Sequence, residues 1–457
     1  MAKILDHQTT LLFKVTRQTP ELITPATPTP YEIKELSEID NHSREWGHTP
    51  GIHFYGPAPK MLGVDPAKVI KEALRRALVP YYPLAGRLRE KSNKKLVVEC
   101  TGEGIVFIEA NADVSLEEFS EADFHPPYPF MDELLYNGIP DFHHILNSPL
   151  FLFQVTRLKC GGFILTHKMN HAIVDAISVA HFMNATSELA RGIQTLSINP
   201  VWERHLLRAR DPPRVTYVPR EFDQIPDIPP PHDLILKRFF FGPTEITSFR
   251  QFLPTHLKSC STFEILTAVI WRSWTIALGF HPDNEVRLRI FVNVRPLLKN
   301  PPLPDGYYGN VIVTPVVLCT AGALTENPVG YAVELVKAAK NSFDEEYVKS
   351  TIDFFVTNGR PRCTRSAHTL ILSDIRHIKH DAIDFGWGLP VHYGPMTGWA
   401  GAPYPGHGSF FLRSKNSDGE SGILVPMYLP ALAMEMFVKE INGYLDPDSA
   451  PVFGDRA

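Results

Sequence analysis

The sequence predicts an α/β protein whose mixed β-sheets are flanked by helices, divided into two halves by a proline-rich crossing. Three observations carry that prediction. Helical and strand-like periodicities intermix along the chain without the strict alternation of a doubly wound parallel sheet. At 457 residues the chain is long for one core and suits two. Between them, residues 196–233 hold Pro200, Pro212, Pro213, Pro219, Pro226, Pro229, Pro230 and Pro231, a density that excludes helix interiors and central strands. The boundaries read as a first unit 1–200, a crossover linker 201–232 and a second unit 233–457.

Each element has a local reason. Residues 65–79 place Val69, Ile70, Ala73, Leu74, Ala77 and Leu78 at helical spacing, with Asp65 as cap and Pro66 in the first turn. Strand-like runs at Leu96–Cys100 and Ile105–Glu109 are separated by Gly102 and Gly104, which predicts a hairpin. Runs 150–158 and 163–168 bracket Lys159-Cys160-Gly161-Gly162, a second hairpin signal. Residues 175–191 return to helical spacing, and Gly192 suits the helix end. In the second half, Ser261 and Glu264 form a capping-box pattern before an apolar helix that Gly279 can end. Residues 286–295 alternate apolar and polar, the period of a half-buried strand carrying Arg289, Asn293 and Arg295 on one face. Helices are expected at 327–343 and 430–442, and strands at 367–373, 408–414 and 422–428.

Composition narrows the function. With 44% hydrophobic and 21% charged residues the chain reads as globular, and its net charge of −5 argues against nucleic-acid or acidic-membrane partners. The five cysteines, Cys100, Cys160, Cys260, Cys319 and Cys363, are odd in number and widely spaced, the pattern of reduced thiols. Asp6, His7 and Gln8 interrupt the apolar start, and no stretch reaches the ~18 apolar residues of a membrane span. A cytoplasmic protein is expected.

The sharpest chemical signal is His171-Ala172-Ile173-Val174-Asp175, placed where a strand hands over to a helix. A histidine on a loop held by two rigid elements can accept a proton from a hydroxyl or amine near neutral pH. The plain alternative is a packed or surface histidine that matches HxxxD by chance. A metal reading also competes, because His167, His171 and Asp175 at i, i+4 and i+8 would share a helix face. The strand pattern of 163–168 dissolves that face, so no metal is expected. No GxSxG elbow, GxxxxGK loop or GxGxxG turn is present, so the chemistry is expected to avoid a covalent enzyme intermediate. A second constellation, Asp384-Phe385-Gly386-Trp387-Gly388, reads by itself as a sharp structural turn around a buried tryptophan.

Together, HAIVD and, more than 200 residues later, DFGWG resemble the paired signature of the BAHD acyl-CoA-dependent acyltransferases. Supporting stretches run from QTPELITPATPTP (18–30) through YYPLAGRLRE (81–90), PVWERHLLRARDPPR (200–214) and STFEILTAVIWR (261–272) to GYYGN (306–310), and they are most similar to the benzyl alcohol benzoyltransferase and alcohol acyltransferase subgroup. The resemblance implies two similar domains of chloramphenicol acetyltransferase-like architecture with a channel between them. It also implies transfer of an aromatic or medium-chain acyl group from acyl-CoA to a small alcohol, in plant specialised metabolism, by a monomer with no permanently bound cofactor.

Residue by residue, it ties His171 and Asp384 to catalysis. His171 matches the general base. Asp384 matches a residue thought to brace the channel by pairing with an arginine, for which Arg295 is the natural partner. Asp175 matches a residue that holds the loop, and Trp387 one that helps shape the channel. Ser261, Thr262, Ser373 and Asp374 are the candidate coenzyme A contacts. Ile177 is bulkier than the small residues many relatives carry there, which bears on the acceptor pocket. Amide formation from an amine remains the alternative chemistry, and an inactive binding protein of the same fold the alternative class.

Overall fold

A computed structural model describes residues 3–4, 11–43, 47–121, 125, 128, 131–138, 144–226, 233–359, 361, 366–396, 408–416 and 419–446. Pro229, Pro230, Pro231, Cys363 and most of the loop 394–408 lie outside the described residues. The chain builds two large mixed sheets, each covered by helices.

The first sheet runs His392–Pro395, His48–Tyr55, Phe163–Asn170, Phe151–Arg157, Ile105–Ala112, Val15–Arg17, with Glu21–Ile23 also pairing Ile105–Ala112. Its pairs are antiparallel except Ile105–Ala112 with Phe151–Arg157. The second runs Lys3–Ile4, Leu234–Phe241, Ser421–Pro430, Gly408–Lys415, Thr369–Asp374, Glu285–Asn293, Ile312–Val313, with Val316–Thr320 also pairing Glu285–Asn293. Thr369–Asp374 is parallel to both its neighbours. A small antiparallel sheet joins Ile33–Glu35, Leu96–Glu99 and Arg87–Glu90.

Helices form where the caps demanded them. Asp65 accepts Ala67 N at 3.1 Å and Pro66 opens the helix Pro66–Ala77, whose Ile70, Ala73, Leu74 and Ala77 are buried. Ser261 and Glu264 make the reciprocal capping box of Thr262–Leu278, and Gly279 ends that helix at φ +61°. That left-handed geometry is one glycine adopts without steric cost. Truncating a fully buried side chain such as Leu74 to alanine should cost about 2–5 kcal/mol.

Two expectations need correction. Leu96–Glu99 and Ile105–Ala112 do not pair as a hairpin; the first joins the small sheet and the second the large one. Gly104, at φ +95°, sends the chain past Ile23, whose carbonyl a Cβ there would strike, and this close passage separates the strands. Second, the halves exchange segments. Residues 392–395 pair with His48–Tyr55, and Ile383, Phe385 and Trp387 are buried in the first core, so DFGWG packs with the first half. Lys3–Ile4 in turn pairs with the second sheet. A helix at Glu345–Thr357, capped by Asp344 accepting Tyr347 N at 2.8 Å, was not expected. Among the described residues no helix is long and apolar enough to cross a membrane.

Candidate active site

The HAIVD loop is held at both ends. His171 directly follows the strand Phe163–Asn170, and Asp175 caps the helix Ala176–Ala190 by accepting Ser178 N at 2.9 Å. Asn170 Oδ1 accepts Ala172 N at 3.1 Å, which tightens the turn between them. Ala172, Ile173 and Val174 are buried in the first core, and the His171 ring meets a residue of the second half. Because residues 163–170 are strand, the shared helical face of the metal reading does not form.

The imidazole of His171 is oriented by Asn310, its Nδ1 lying 3.1 Å from Asn310 Oδ1. Which atom donates follows from the other side of the amide. Asn310 Nδ2 donates to the His171 carbonyl at 2.8 Å and to Asp40 Oδ1 at 3.0 Å, so Oδ1 must be the acceptor facing the ring. Nδ1 then carries the proton and Nε2 carries the basic lone pair. Burial lowers the His171 pKa below the ordinary histidine value, opposed by hydrogen bonding and by the nearby Asp175 and Asp40 charges. The ring is therefore uncharged at neutral pH.

Asp40 anchors this arrangement. It is fully buried and also accepts Asn310 N at 2.9 Å, Ser37 N at 3.1 Å and Ser37 Oγ at 2.7 Å. The buried Arg204 guanidinium pairs with it and donates to Ile173 O at 2.9 Å. A Cβ on Gly309 would meet that guanidinium, so a side chain there would displace Arg204 from Asp40.

The expected Asp384–Arg295 brace does not form. Arg295 pairs instead with Asp175, Nη1 to Oδ2 at 2.8 Å and Nη2 to Oδ1 at 3.1 Å, and donates to Gly309 O at 3.0 Å. The strand ends at Asn293, which puts Arg295 in the turn Arg295–Leu297 facing the helix cap. Burial would raise the Asp175 carboxyl, but Arg295 and the Ser178 hydrogen bonds outweigh it and hold the pKa below the usual range. Val311 N also reaches Asp175 Oδ2, at 3.2 Å, so Asp175 ties the first half to the second.

Asp384 serves its own turn. Its Oδ1 accepts Gly386 N at 2.7 Å and Gly388 N at 2.9 Å, with the two glycines at φ +110° and +90°. Phe385 and Trp387 pack on Tyr55 and Phe163, at ring-centroid distances of 5.7 and 5.3 Å, and Tyr55 Oη donates to Ile383 O at 3.0 Å. Arg191, the residue that ends the helix begun by Asp175, donates to Asp384 O. Fifteen helical residues at about 1.5 Å each separate the two caps by about 22 Å, beyond the reach of an arginine side chain. Asp384 thus closes its own turn, at the end of the helix away from the His171 loop, in place of the expected pairing with Arg295.

The remaining candidates lie in the second half. Ser261 caps its helix, Thr262 opens it, and Phe263 packs 5.9 Å from Phe411. Phe411 is the register partner of Asp374, which holds Arg376 at 2.8 and 2.6 Å. Ser373 is buried beside it, and the two stand at the end of Thr369–Asp374, an inner strand of the second sheet. Ile177 is partly buried in the first turn of its helix and stands outside the first core cluster. Sequence reasoning missed Asn310, Asp40 and Arg204. The readable signals were Gly309 before Asn310 and the Ser37–Asp40 cap pattern.

Comparison with known proteins agrees with the fold and extends it. The profile of the transferase family matches residues 13–443. The chain is 50% identical over 443 residues to a benzyl alcohol O-benzoyltransferase of Nicotiana tabacum, covering 96% of this chain and 95% of that one. It is 46% identical to a (Z)-3-hexen-1-ol acetyltransferase of Arabidopsis thaliana, covering 97% and 99%. Among solved structures, vinorine synthase superposes with a TM-score of 0.71 at 21% identity, covering 96% of this chain and all of that one. TRI101 of F. graminearum, solved with coenzyme A and deoxynivalenol, gives 0.71 at 14% identity, covering 92% and 98%. With the match running nearly end to end, this chain belongs to the transferase family of BAHD acyltransferases.

Proposed function

We propose that the protein transfers an aromatic or medium-chain acyl group from acyl-CoA to a small alcohol, with His171 as general base. The observation that carries this is the Asn310 bond to Nδ1, which leaves the basic lone pair on Nε2 of an uncharged ring. Nε2 takes the alcohol proton as the oxygen attacks the thioester carbonyl. The C–O bond forms, the tetrahedral oxyanion collapses, and the C–S bond breaks. The proton then passes from Nε2 to the leaving thiolate, giving ester and free coenzyme A.

Coenzyme A is a co-substrate in this reading, and Ser261, Thr262, Ser373 and Asp374 are its proposed contacts. Ile177, one turn from the base, limits the acceptor. The O-acyl relatives favour an alcohol over an amine. We further propose that the enzyme works as a cytoplasmic monomer in plant specialised metabolism. The test is His171→Ala with benzoyl-CoA and benzyl alcohol, following thiol release. Turnover should fall roughly 10²–10⁴-fold while acyl-CoA binding stays near wild type. A variant keeping more than about a third of wild-type kcat would remove His171 from the chemistry. Wild-type protein that releases no acceptor-dependent thiol from any acyl-CoA would instead support the inactive binding protein.

A further inference from the structure

The crossover between the halves carries a buried carboxyl group near its far end. Along residues 211–224, Pro219, Glu221 and Phe222 are buried while most of their neighbours are exposed. Just upstream, the segment rests on the helix Glu345–Thr357. Thr216 N and Tyr217 N both donate to Ser350 Oγ, at 2.9 and 2.7 Å, and Ser350 Oγ donates to Tyr217 O at 3.0 Å. Phe222 packs on Phe354 and Phe355 of that helix, at ring-centroid distances of 5.6 and 5.5 Å. It also meets His42, on the helix Glu38–Ser43 of the first half, at 5.1 Å. The turn Arg220–Phe222 therefore touches both halves, and Glu221 sits at its centre.

Nothing neutralises that carboxyl. Glu221 is 6% exposed, and its Oε2 is buried with no hydrogen-bond partner. The strand Glu285–Asn293 presents Arg289 to it. That guanidinium donates from Nη2 to Thr314 Oγ1 at 3.0 Å and lies 5.8 Å from the Phe291 ring, and its buried Nε has no partner. The helix Glu345–Thr357 presents Tyr347. Within its own turn, Asp223 adds a like charge and is held by Arg220 at 2.7 Å and Arg287 at 3.0 Å. Among the described residues no cation forms an ion pair with Glu221. An ionised carboxylate there would bear its desolvation without a matching charge, so the proton is retained. Burial accordingly raises the Glu221 pKa to about 7, opposed by hydrogen bonding and by the Arg289 charge.

We infer that Glu221 is a proton-operated latch on the crossover: with its proton it seats residues 216–222 between the halves, and without it they open locally so that the carboxylate reaches water. The sign follows from linkage. An exposed glutamate gives up its proton near 4.5 and the seated one near 7. The seated state is therefore favoured in full below about pH 4.5 and loses ground as pH rises to about 7, where the change ends. This device lies in the crossover and is independent of the acyl-transfer reading.

Native-state hydrogen exchange at Thr216, Tyr217 and Phe222 reads the latch, because their amides bond to Ser350 and Pro219 only while the segment is seated. After correction for the intrinsic pH dependence of exchange, opening in the wild type should grow at least about 10-fold between about pH 5 and 7.5, then level off. Glu221→Gln keeps the shape and the neutrality of the protonated acid. It should fold, show growth of less than about twofold, and open less than wild type at pH 7.5. Arg289→Met removes an opposing charge and should carry the rise to higher pH. A wild type without growth, or equal growth in Glu221→Gln, overturns the inference. So does a glutamine variant that fails to fold or opens more than wild type throughout, since Glu221 would then be needed as an anion.

Discussion

Asp175 ends one signature motif and Asp384 opens the other, and each carboxylate accepts from backbone N–H groups, yet only that of Asp175 spans the molecule. Asp175 closes a helix cap with one oxygen and uses both to grip Arg295, while Val311 N of the second half completes its shell. Asp384 bonds two glycine N–H groups within four residues of itself. The difference lies in what is buried nearby. A guanidinium grips the first carboxylate itself, whereas Arg191 reaches only the backbone carbonyl of Asp384, whose carboxylate bonds within its own turn. The same residue type therefore braces two halves in one place and folds one loop in the other.

The largest stability effect should come from the layer behind the base. Asp40→Asn, or Arg204→Met, leaves one partner of a fully buried ion pair unmatched, at about 3–5 kcal/mol. A marked fall in Tm is expected, and an unchanged Tm would show that the pair carries no structural role.

Removing the contact to the ring should act on chemistry more than on stability. Asn310→Ala frees the His171 tautomer, and kcat should fall roughly 10- to 1,000-fold, short of the ~10⁴-fold cost of losing a tautomer-setting carboxylate in a Ser-His-Asp triad. The pH profile gives a second readout. His171 works uncharged, so activity is full at neutral pH and is lost as pH falls below about 6.5 through its lowered pKa. The Asn310 bond raises that pKa, so its removal moves the acid limb to lower pH. A limb that stays in place, or moves upward, would contradict the tautomer assignment.

Asp384→Asn should have the smallest effect. Its amide oxygen can still accept from Gly386 and Gly388, so a cost under about 1 kcal/mol is expected, with kcat close to wild type. Loss of one limb of the pH–rate profile in this variant would return Asp384 to the chemistry.

Much of this was readable in one dimension, because caps and periods are local. Asp65, Ser261 with Glu264, and Gly279 do what their spacing predicts. The strand-to-helix junction at His171 is equally local. Partners chosen by tertiary packing were not readable. The alternation of 286–295 placed Arg295 on a strand, but the strand stops short, and its partner lies 120 residues away in the sequence. The glycines after Thr101 looked like a hairpin because a strand's period does not say which sheet it joins. Asn310 carries no period at all, and its role exists only once Asp40 and His171 are beside it. The helix Glu345–Thr357 had both its Asp344 cap and Val348, Ile352 and Phe355 at helical spacing, and could have been found.

A pair of double-mutant cycles tests the contrast between the two aspartates most directly. Asp175→Asn and Arg295→Met should each destabilise strongly, and together much less than additively, with a coupling of about 2 kcal/mol or more. Asp384→Asn combined with Arg295→Met should be additive within about 0.5 kcal/mol. Strong coupling in the second cycle with none in the first would give Arg295 back to Asp384 and contradict the account.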